Sequence, residues 1–493
     1  MKGLNEQVSL VLTVEDVLTA TDGHLLKGAA GGIFHGIATD TRKLSRGNLF
    51  IPLAGEKFDG HDFLKEAVEA GASGLLLQRG KEGRLSVVGD TVVILVEDTL
   101  RALGDIAHFW RGLFTVPVVA VTGSSGKTTT KEMIAGILGD GRAVLKSPGN
   151  FNNLVGLPLT IFEIRRSHEA VVLEMGTNRK GEIGRLTEIA SPDVGVITNI
   201  GPAHLQGFGS LEAVREEKGD LFRVMANKGM AVVNCDDENV RHLAREWDGE
   251  RITFGFSEEA YVKVGQVASR GGEGVRFTLR IGELEKDVCL PVVGEHNVRN
   301  ALAAAAASWV LGENMDSICR ALESFEPLGG RMTVRRLKNE AFLLDDSYNA
   351  NPVSVKESLK TLRDLKGAHR GIAVLGDMLE LGEEAESLHV GIGRIAAETG
   401  VDALILKGIY SRAVASGAME RGLPRERILF MEDPGEIVDN LKDSLQKCDW
   451  VLVKGSRKMG LDEVGSALVD AFGLYEAPPD CEDVIFGEEV SKR

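Results

Sequence analysis

The run Gly123-Ser124-Ser125-Gly126-Lys127-Thr128-Thr129-Thr130-Lys131 has the residue types of a phosphate-binding loop, and it follows the apolar stretch Val116–Val121. A strand there gives the loop a rigid base, and glycine lets backbone N–H groups turn toward an anion. The helix that follows adds partial positive charge where phosphate would sit. Lys127 would reach the outer phosphates of a nucleoside triphosphate, and the Thr128 hydroxyl would ligate magnesium. An ordinary strand-to-helix turn also uses Gly and Ser, but the Lys-Thr-Thr register behind an apolar strand favours the nucleotide reading. The usual loop spacing would put glycine at 121, where Val121 stands instead. The shorter Gly-x-x-Gly-Lys-Thr form points away from GTPase switches and ordinary kinases, and toward ATP-dependent amide-forming ligases.

Three further residues could share that site. In open parallel sheets, ligands bind at the carboxyl ends of strands. Glu174 follows the apolar run at 170, and His204 follows the run from Val194 through Gly201-Pro202-Ala203. If those strands flank the loop strand, a carboxylate and an imidazole face Lys127 and Thr128, and can form a second magnesium site. Magnesium prefers oxygen, so His204 needs carboxylate or phosphate company; a lone loop histidine also has a structural reading. Lys218 lies on the apolar stripe of a helix with Leu211, Val214, Leu221, Phe222 and Met225, while Arg215, Glu216 and Glu217 are expected to face away. It is either a snorkelling lysine or a buried neutral amine able to take up carbon dioxide as a carbamate and hold magnesium.

The elements that must place these groups are those of an α/β protein of several domains. At 493 residues the chain is too long for one small domain. The net charge of −16 argues against nucleic acid as a partner. Five scattered cysteines, Cys235, Cys289, Cys319, Cys448 and Cys481, have no zinc spacing and read as reduced thiols of a cytoplasmic enzyme. Glu6, Glu15 and Asp16 interrupt any secretory signal, and the Ala-rich stretch 301–311 is too short to span a membrane. Residues 1–113 mix short strands and helices. Residues 114–328 alternate strand and helix, the signature of a mostly parallel sheet covered on both faces, and 251–293 reads as an extra small sheet. A second alternating series fills 329–493, entered through a hinge at Gly329-Gly330, with a loosely ordered acidic tail from about 477.

The match then extends over nearly the whole chain. Its carriers include Thr122–Lys131, Glu174-Met175-Gly176-Thr177-Asn178, Thr198–Leu205, Gly294-Glu295-His296-Asn297-Val298-Arg299-Asn300 and Gly330-Arg331-Met332. Asp345–Pro352, Leu375–Gly382 and Lys454–Met459 continue it. In these runs the chain resembles the Mur ligases, the ATP-dependent amino-acid-adding enzymes of peptidoglycan synthesis. Tyr348-Asn349-Ala350-Asn351-Pro352 and Gly376-Asp377-Met378-Leu379-Glu380-Leu381-Gly382 are most similar to the branch that adds D-alanyl-D-alanine.

The resemblance implies three domains: an N-terminal UDP-binding α/β domain, a central P-loop ATPase domain and a C-terminal Rossmann-like domain. It implies UDP-N-acetylmuramoyl-tripeptide and D-alanyl-D-alanine as substrates, ATP and Mg2+ as cofactors, no membrane insertion and a monomer. Asp40, Thr41 and Arg42 would hold the UDP end, with Asp59–Phe63 nearby. Thr122, Gly123, Ser124, Ser125, Gly126, Lys127 and Thr128 would cradle ATP, with Asn300 on adenine, Asp346 on ribose and Arg331 on the phosphates. Asn349 and Asn351 would meet the dipeptide. Lys127, Lys218, His204, Glu174 and Arg331 would be the catalytic set, with Thr128, Glu174, His204 and Lys218, as its carbamate, around the metal. The Asp-Asn-Pro-Arg run of the diaminopimelate-adding relatives is replaced by Asn349-Ala350-Asn351-Pro352. Another Mur or folylpolyglutamate-type ligase, or a nucleotide-dependent switch, are the competing readings. Against the switch, Asn227-Lys228 is followed by Gly229-Met230 rather than completing a guanine motif.

Overall fold

The computed structural model describes residues 10–55, 57–85, 89–225 and 229–475; the acidic tail from about 477, Cys481 included, lies outside them. Three parallel or mostly parallel sheets follow one another along the chain.

The strand Val118–Thr122 lies inside the nine-stranded sheet, third from one edge. Its β-branched residues suit a pleated, doubly buried strand, and all five are buried. Val118 and Ala120 pack into one apolar cluster, Val119 and Val121 into the other, which is the period-two alternation of a sheet covered on both faces. Each valine so buried stabilises the fold by roughly 1.5–3 kcal/mol. The strand is flanked in parallel by Ala170–Glu174 on one side and Val194–Ile197 on the other. Glu174 pairs with Val121 and Ile197 with Thr122, so the segments after all three strands emerge at one edge. The order reverses at this strand: Val144–Lys146 lies beyond Ala170–Glu174, while Met230–Asn234 and Arg251–Gly255 continue past Val194–Ile197. Such a switch point opens a crevice.

The expected separate sheet at 251–293 is not found. Val262–Ser269, Val275–Ile281 and Leu284–Leu290 extend the same nine-stranded sheet, the last two by antiparallel pairing. Their alternating sequence specifies strands, and the parallel pairing of Phe254 with Val262 and of Gly255 with Lys263 joins them to the main sheet. The Ala-rich stretch forms a helix, Glu295–Val310, whose Ala301–Ala307 are wholly buried against the sheet and the helix Lys127–Leu138. Small side chains permit that close approach.

In the first region the strands Ile37–Ala38, Leu49–Phe50, Gly74–Gln78 and Val92–Val96 run parallel, with His24–Lys27 antiparallel at the edge. Helix Thr99–Gly112 ends this region but packs on the middle one: Arg111 donates to Ala190 O at 3.2 Å. In the last region Phe342–Asp345, Trp450–Lys454, Gly371–Gly376, Ala403–Lys407 and Ile428–Phe430 run parallel, and Thr333–Arg336 is antiparallel. Gly330, at φ +70°, turns the chain into this region. Among the described residues, no helix is long and apolar enough to cross a membrane.

Candidate active site

The glycines of the loop are required by close approach. A Cβ on Gly123 would stand 1.9 Å from Thr198 Oγ1, and one on Gly126 would stand 2.3 Å from Asn300 Oδ1. Gly126 also holds φ +79° as the residue before the helix Lys127–Leu138, a conformation that side chains disfavour.

Asn199 pins the loop. Its carbonyl accepts the Ser124 N–H at 2.9 Å, its Oδ1 accepts the Ser125 N–H at 3.0 Å, and its Nδ2 donates to Ser125 O at 3.1 Å. The N–H groups of Ser124 and Ser125 are therefore engaged within the protein. The donors of the anion cradle are those of the helix's first turn, Lys127, Thr128 and Thr129, which have no intrahelical acceptor. Lys127 Nζ folds back to donate to Gly123 O at 2.9 Å. Burial holds its pKa below the ordinary lysine value, against the pull of Glu174.

Around this loop lies a cavity of about 660 Å³ whose walls include Lys127, Thr128, Glu174, His204 and Lys218. Glu174 Oε1 accepts from Asn152 Nδ2 at 2.8 Å, while Oε2 is buried without a partner. Lys218 is 2% exposed, and burial, helped by the Lys127 charge, pushes its pKa down to about 7. It opens onto the cavity instead of snorkelling to the outer surface. His204, at φ +56°, precedes the short helix Leu205–Phe208, and its Nδ1 lies 2.5 Å from Glu380 Oε2. Burial and the Lys127 charge lower the imidazole pKa, opposed by Glu380.

Among the described residues, no three His, Cys, Asp or Glu side chains form a metal-binding group. A magnesium ion would still find suitable chemistry here: the partnerless Glu174 oxygen and the Thr128 hydroxyl are hard oxygen donors, and a carbamate on Lys218 would add a third.

One expected orientation is wrong. Glu217 does not face away; it is 2% exposed and accepts from Gly181 N at 2.6 Å, Ile183 N at 2.8 Å and the Thr177 hydroxyl at 3.0 Å. The helix Leu211–Met225 packs on Glu182–Ala190 as well as on the sheet, so two of its faces are covered. Glu217 caps the start of the helix beside it.

The last region supplies the opposite wall. Arg331 lies over the Tyr348 ring at 4.0 Å. Asp346 Oδ2 accepts from Lys454 Nζ at 2.6 Å and from the Ser358 hydroxyl at 2.7 Å. Asn349 O also accepts from Lys454, at 2.9 Å. Asn351 caps the helix Pro352–Lys366 and donates from Nδ2 to Ser124 O of the loop at 3.1 Å. Asn300 lines the same cavity, with Nδ2 donating to Asn297 Oδ1 at 3.0 Å.

Asp40, Thr41 and Arg42 are not part of this cavity's lining. Asp40 caps a short helical turn after the strand Ile37–Ala38, and the Arg42 guanidinium beside it holds its carboxyl down at about 2. Asp59 bridges His61 Nδ1 at 2.7 Å and Lys81 at 2.8 Å in the same region. Sequence reasoning gave no role to Asn152, Asn199, Glu380 or Lys454. Asn199, Glu380 and Lys454 lie inside runs already noted, whereas Asn152 lies in none of them.

Three family models match in the order of this architecture: the Mur ligase family catalytic domain over residues 33–111, the Mur ligase middle domain over 121–308, and the Mur ligase glutamate ligase domain over 330–457. The UDP-N-acetylmuramoyl-tripeptide–D-alanyl-D-alanine ligase of Bacillus subtilis (strain 168) is 35% identical over 439 residues, covering 89% of this chain and 94% of that protein. The chain belongs to the Mur ligase family. Among solved structures, MurF from Acinetobacter baumannii matches with a TM-score of 0.84 at 30% identity, over 94% of this chain and 99% of that one. MurF ligase from Thermotoga maritima, solved in complex with ADP, matches with a TM-score of 0.79 at 30% identity, over 88% and 97%. The three-domain α/β architecture expected from the sequence is thus that of this Mur ligase.

Proposed function

We propose that this Mur ligase joins D-alanyl-D-alanine to UDP-N-acetylmuramoyl-tripeptide, forming ADP and phosphate and making the pentapeptide precursor of peptidoglycan in the cytoplasm. The reading is carried by one observation: Lys127, Glu174, His204 and Lys218 line a single cavity together with Arg331 and Asp346 of the C-terminal region. Relatives named for this reaction over nearly the full length support it.

A carboxylate does not accept an amine at neutral pH. An oxygen of the tripeptide's terminal carboxylate attacks the γ-phosphorus of ATP, the bond to the β-phosphate oxygen breaks, and ADP leaves. Lys127 and the first-turn N–H groups stabilise the charge spreading over the transferred phosphoryl group. The amine of D-alanyl-D-alanine then attacks the acyl carbon, phosphate departs with the carbon–oxygen bonding pair, and the amine proton is lost to solvent. Arg331 steadies the phosphates from the C-terminal side, Asp346 the ribose and Asn300 the adenine. Asn349 and Asn351 border the dipeptide, and closure about Gly329–Arg331 keeps water from the acyl phosphate. The UDP end rests on Asp40, Thr41 and Arg42.

Magnesium, held by Thr128, Glu174, His204 and a Lys218 carbamate, would neutralise triphosphate charge when bound. Lys218 suits carbamate formation because its buried amine loses its proton near pH 7. The neutral nitrogen bonds the carbon of carbon dioxide and releases a proton.

The test is phosphate release from ATP and magnesium with the tripeptide acceptor, with and without D-alanyl-D-alanine. Release that needs both, with a product of pentapeptide mass, supports the proposal. Release with another amino acid or a folate instead would move the chain to a different acceptor.

A further inference from the structure

His204 and Glu380 meet across the boundary between the middle and C-terminal regions, and both are held in an unusual backbone conformation. Their φ angles are +56° and +65°, in the left-handed region that residues with side chains rarely occupy. Such conformations persist where the surroundings over-determine them. Here they do: Glu380 O accepts the Gln206 N–H at 2.9 Å while Glu380 Oε2 meets His204 Nδ1 at 2.5 Å. Gly382, at φ +61°, lets the same loop lie against Gln206, where a Cβ would stand 3.2 Å from its Cα. One C-terminal loop thus grips the segment carrying His204 by backbone and side chain together.

A carboxylate only accepts hydrogen bonds, so Nδ1 carries the proton in this pair, and Nε2 is left as the acceptor of the neutral ring. A histidine side chain free in water favours the other tautomer, with the proton on Nε2. His204 lines the cavity shared by Lys127 and Lys218, so the choice of tautomer decides whether its cavity nitrogen can donate a lone pair.

We propose that Glu380 is a positioning residue: it fixes His204 as the Nδ1–H tautomer, with Nε2 open to the cavity, and it does so only while the C-terminal region is docked. Site assembly and domain docking are thereby the same event. The inference rests on the ligase reading, which supplies the turnover assay.

The full chain is tested as wild type, Glu380→Gly and Glu380→Gln. Glycine accepts φ +65° without strain, so Glu380→Gly removes the carboxylate while leaving the loop's conformation favourable. Its kcat is expected to fall by about 10–100-fold, the usual range for a lost partner behind a ligating histidine, with KM for ATP and dipeptide within about threefold. Glu380→Gln retains an acceptor oxygen and recovers most of kcat. Ring-nitrogen shifts of 15N-histidine, with the His204 signals identified by their loss in His204→Gln, report Nδ1–H in wild type and a move toward Nε2–H in Glu380→Gly. Wild-type kcat in Glu380→Gly, or unchanged His204 shifts despite a lower kcat, overturns the inference. Absence of product from wild type fails the ligase reading instead, and the nitrogen shifts still decide the role of Glu380.

Discussion

Asn152 donates one hydrogen bond to Oε1 of Glu174 at 2.8 Å, and the other oxygen of that carboxylate is buried with nothing bonded to it. The asparagine holds the carboxylate in one rotation, and the bare oxygen carries a desolvation cost that a cation would offset. Such an arrangement would suit a metal ligand steadied from behind, the role proposed for Glu174.

Replacing Asn152 with alanine is therefore expected to raise the magnesium concentration needed for half-maximal turnover by about 10–100-fold. Saturating magnesium should restore much of the rate. A magnesium titration of the two proteins checks this, and identical midpoints would remove Asn152 from the site.

Gly126→Ala should damage both fold and function. The added Cβ collides with Asn300 Oδ1, and the backbone at φ +79° is strained for alanine. Backbone strain of this kind costs about 1–3 kcal/mol, read as a lower denaturation midpoint, and nucleotide affinity should fall with it. Lys127→Ala, by contrast, should keep a wild-type midpoint and lose on the order of 10²–10³ in kcat.

The pH response follows from Lys218. Its pKa of about 7 means that the reactive amine is populated above that pH, while ammonium dominates below it. In buffer stripped of carbon dioxide, activity should be low and bicarbonate should restore it, more readily at pH 8 than at pH 6. Lys218→Ala should be inactive and partly rescued by acetate. Indifference to bicarbonate and acetate alike would leave Lys218 without a carbamate.

Glu217→Ala removes the acceptor of the buried Ile183 N–H and of the Gly181 N–H, while the Thr177 hydroxyl keeps Arg179 O at 2.9 Å. The expected loss is about 2–4 kcal/mol, from donors left without partners, measured by urea unfolding. Because Thr177 follows Glu174-Met175-Gly176, turnover should fall as well.

How much of this was legible depended on range along the chain. The loop, Glu174 and His204 could be read because each follows its own strand, and strand–loop–helix order is local. The neighbouring of those strands, on which the site depended, is set by register between residues far apart in sequence. Glu217 shows a limit of the helical-stripe argument. It stands next to Lys218 in sequence, and a single-stripe reading turns it to solvent, yet the helix is covered on two faces. Glu380 and Lys454 lay inside motifs already noted, but their partners His204 and Asp346 are 176 and 108 residues away. No periodicity reports such pairs.

The central claim is transfer of the γ-phosphoryl group to the acceptor's carboxylate before amide formation. Tripeptide acceptor labelled with 18O in its terminal carboxylate, incubated with ATP, magnesium and D-alanyl-D-alanine, tests it by mass spectrometry of the released phosphate. The account predicts one 18O in each phosphate formed, matched one-to-one by pentapeptide product. Unlabelled phosphate, or phosphate without amide product, would contradict it.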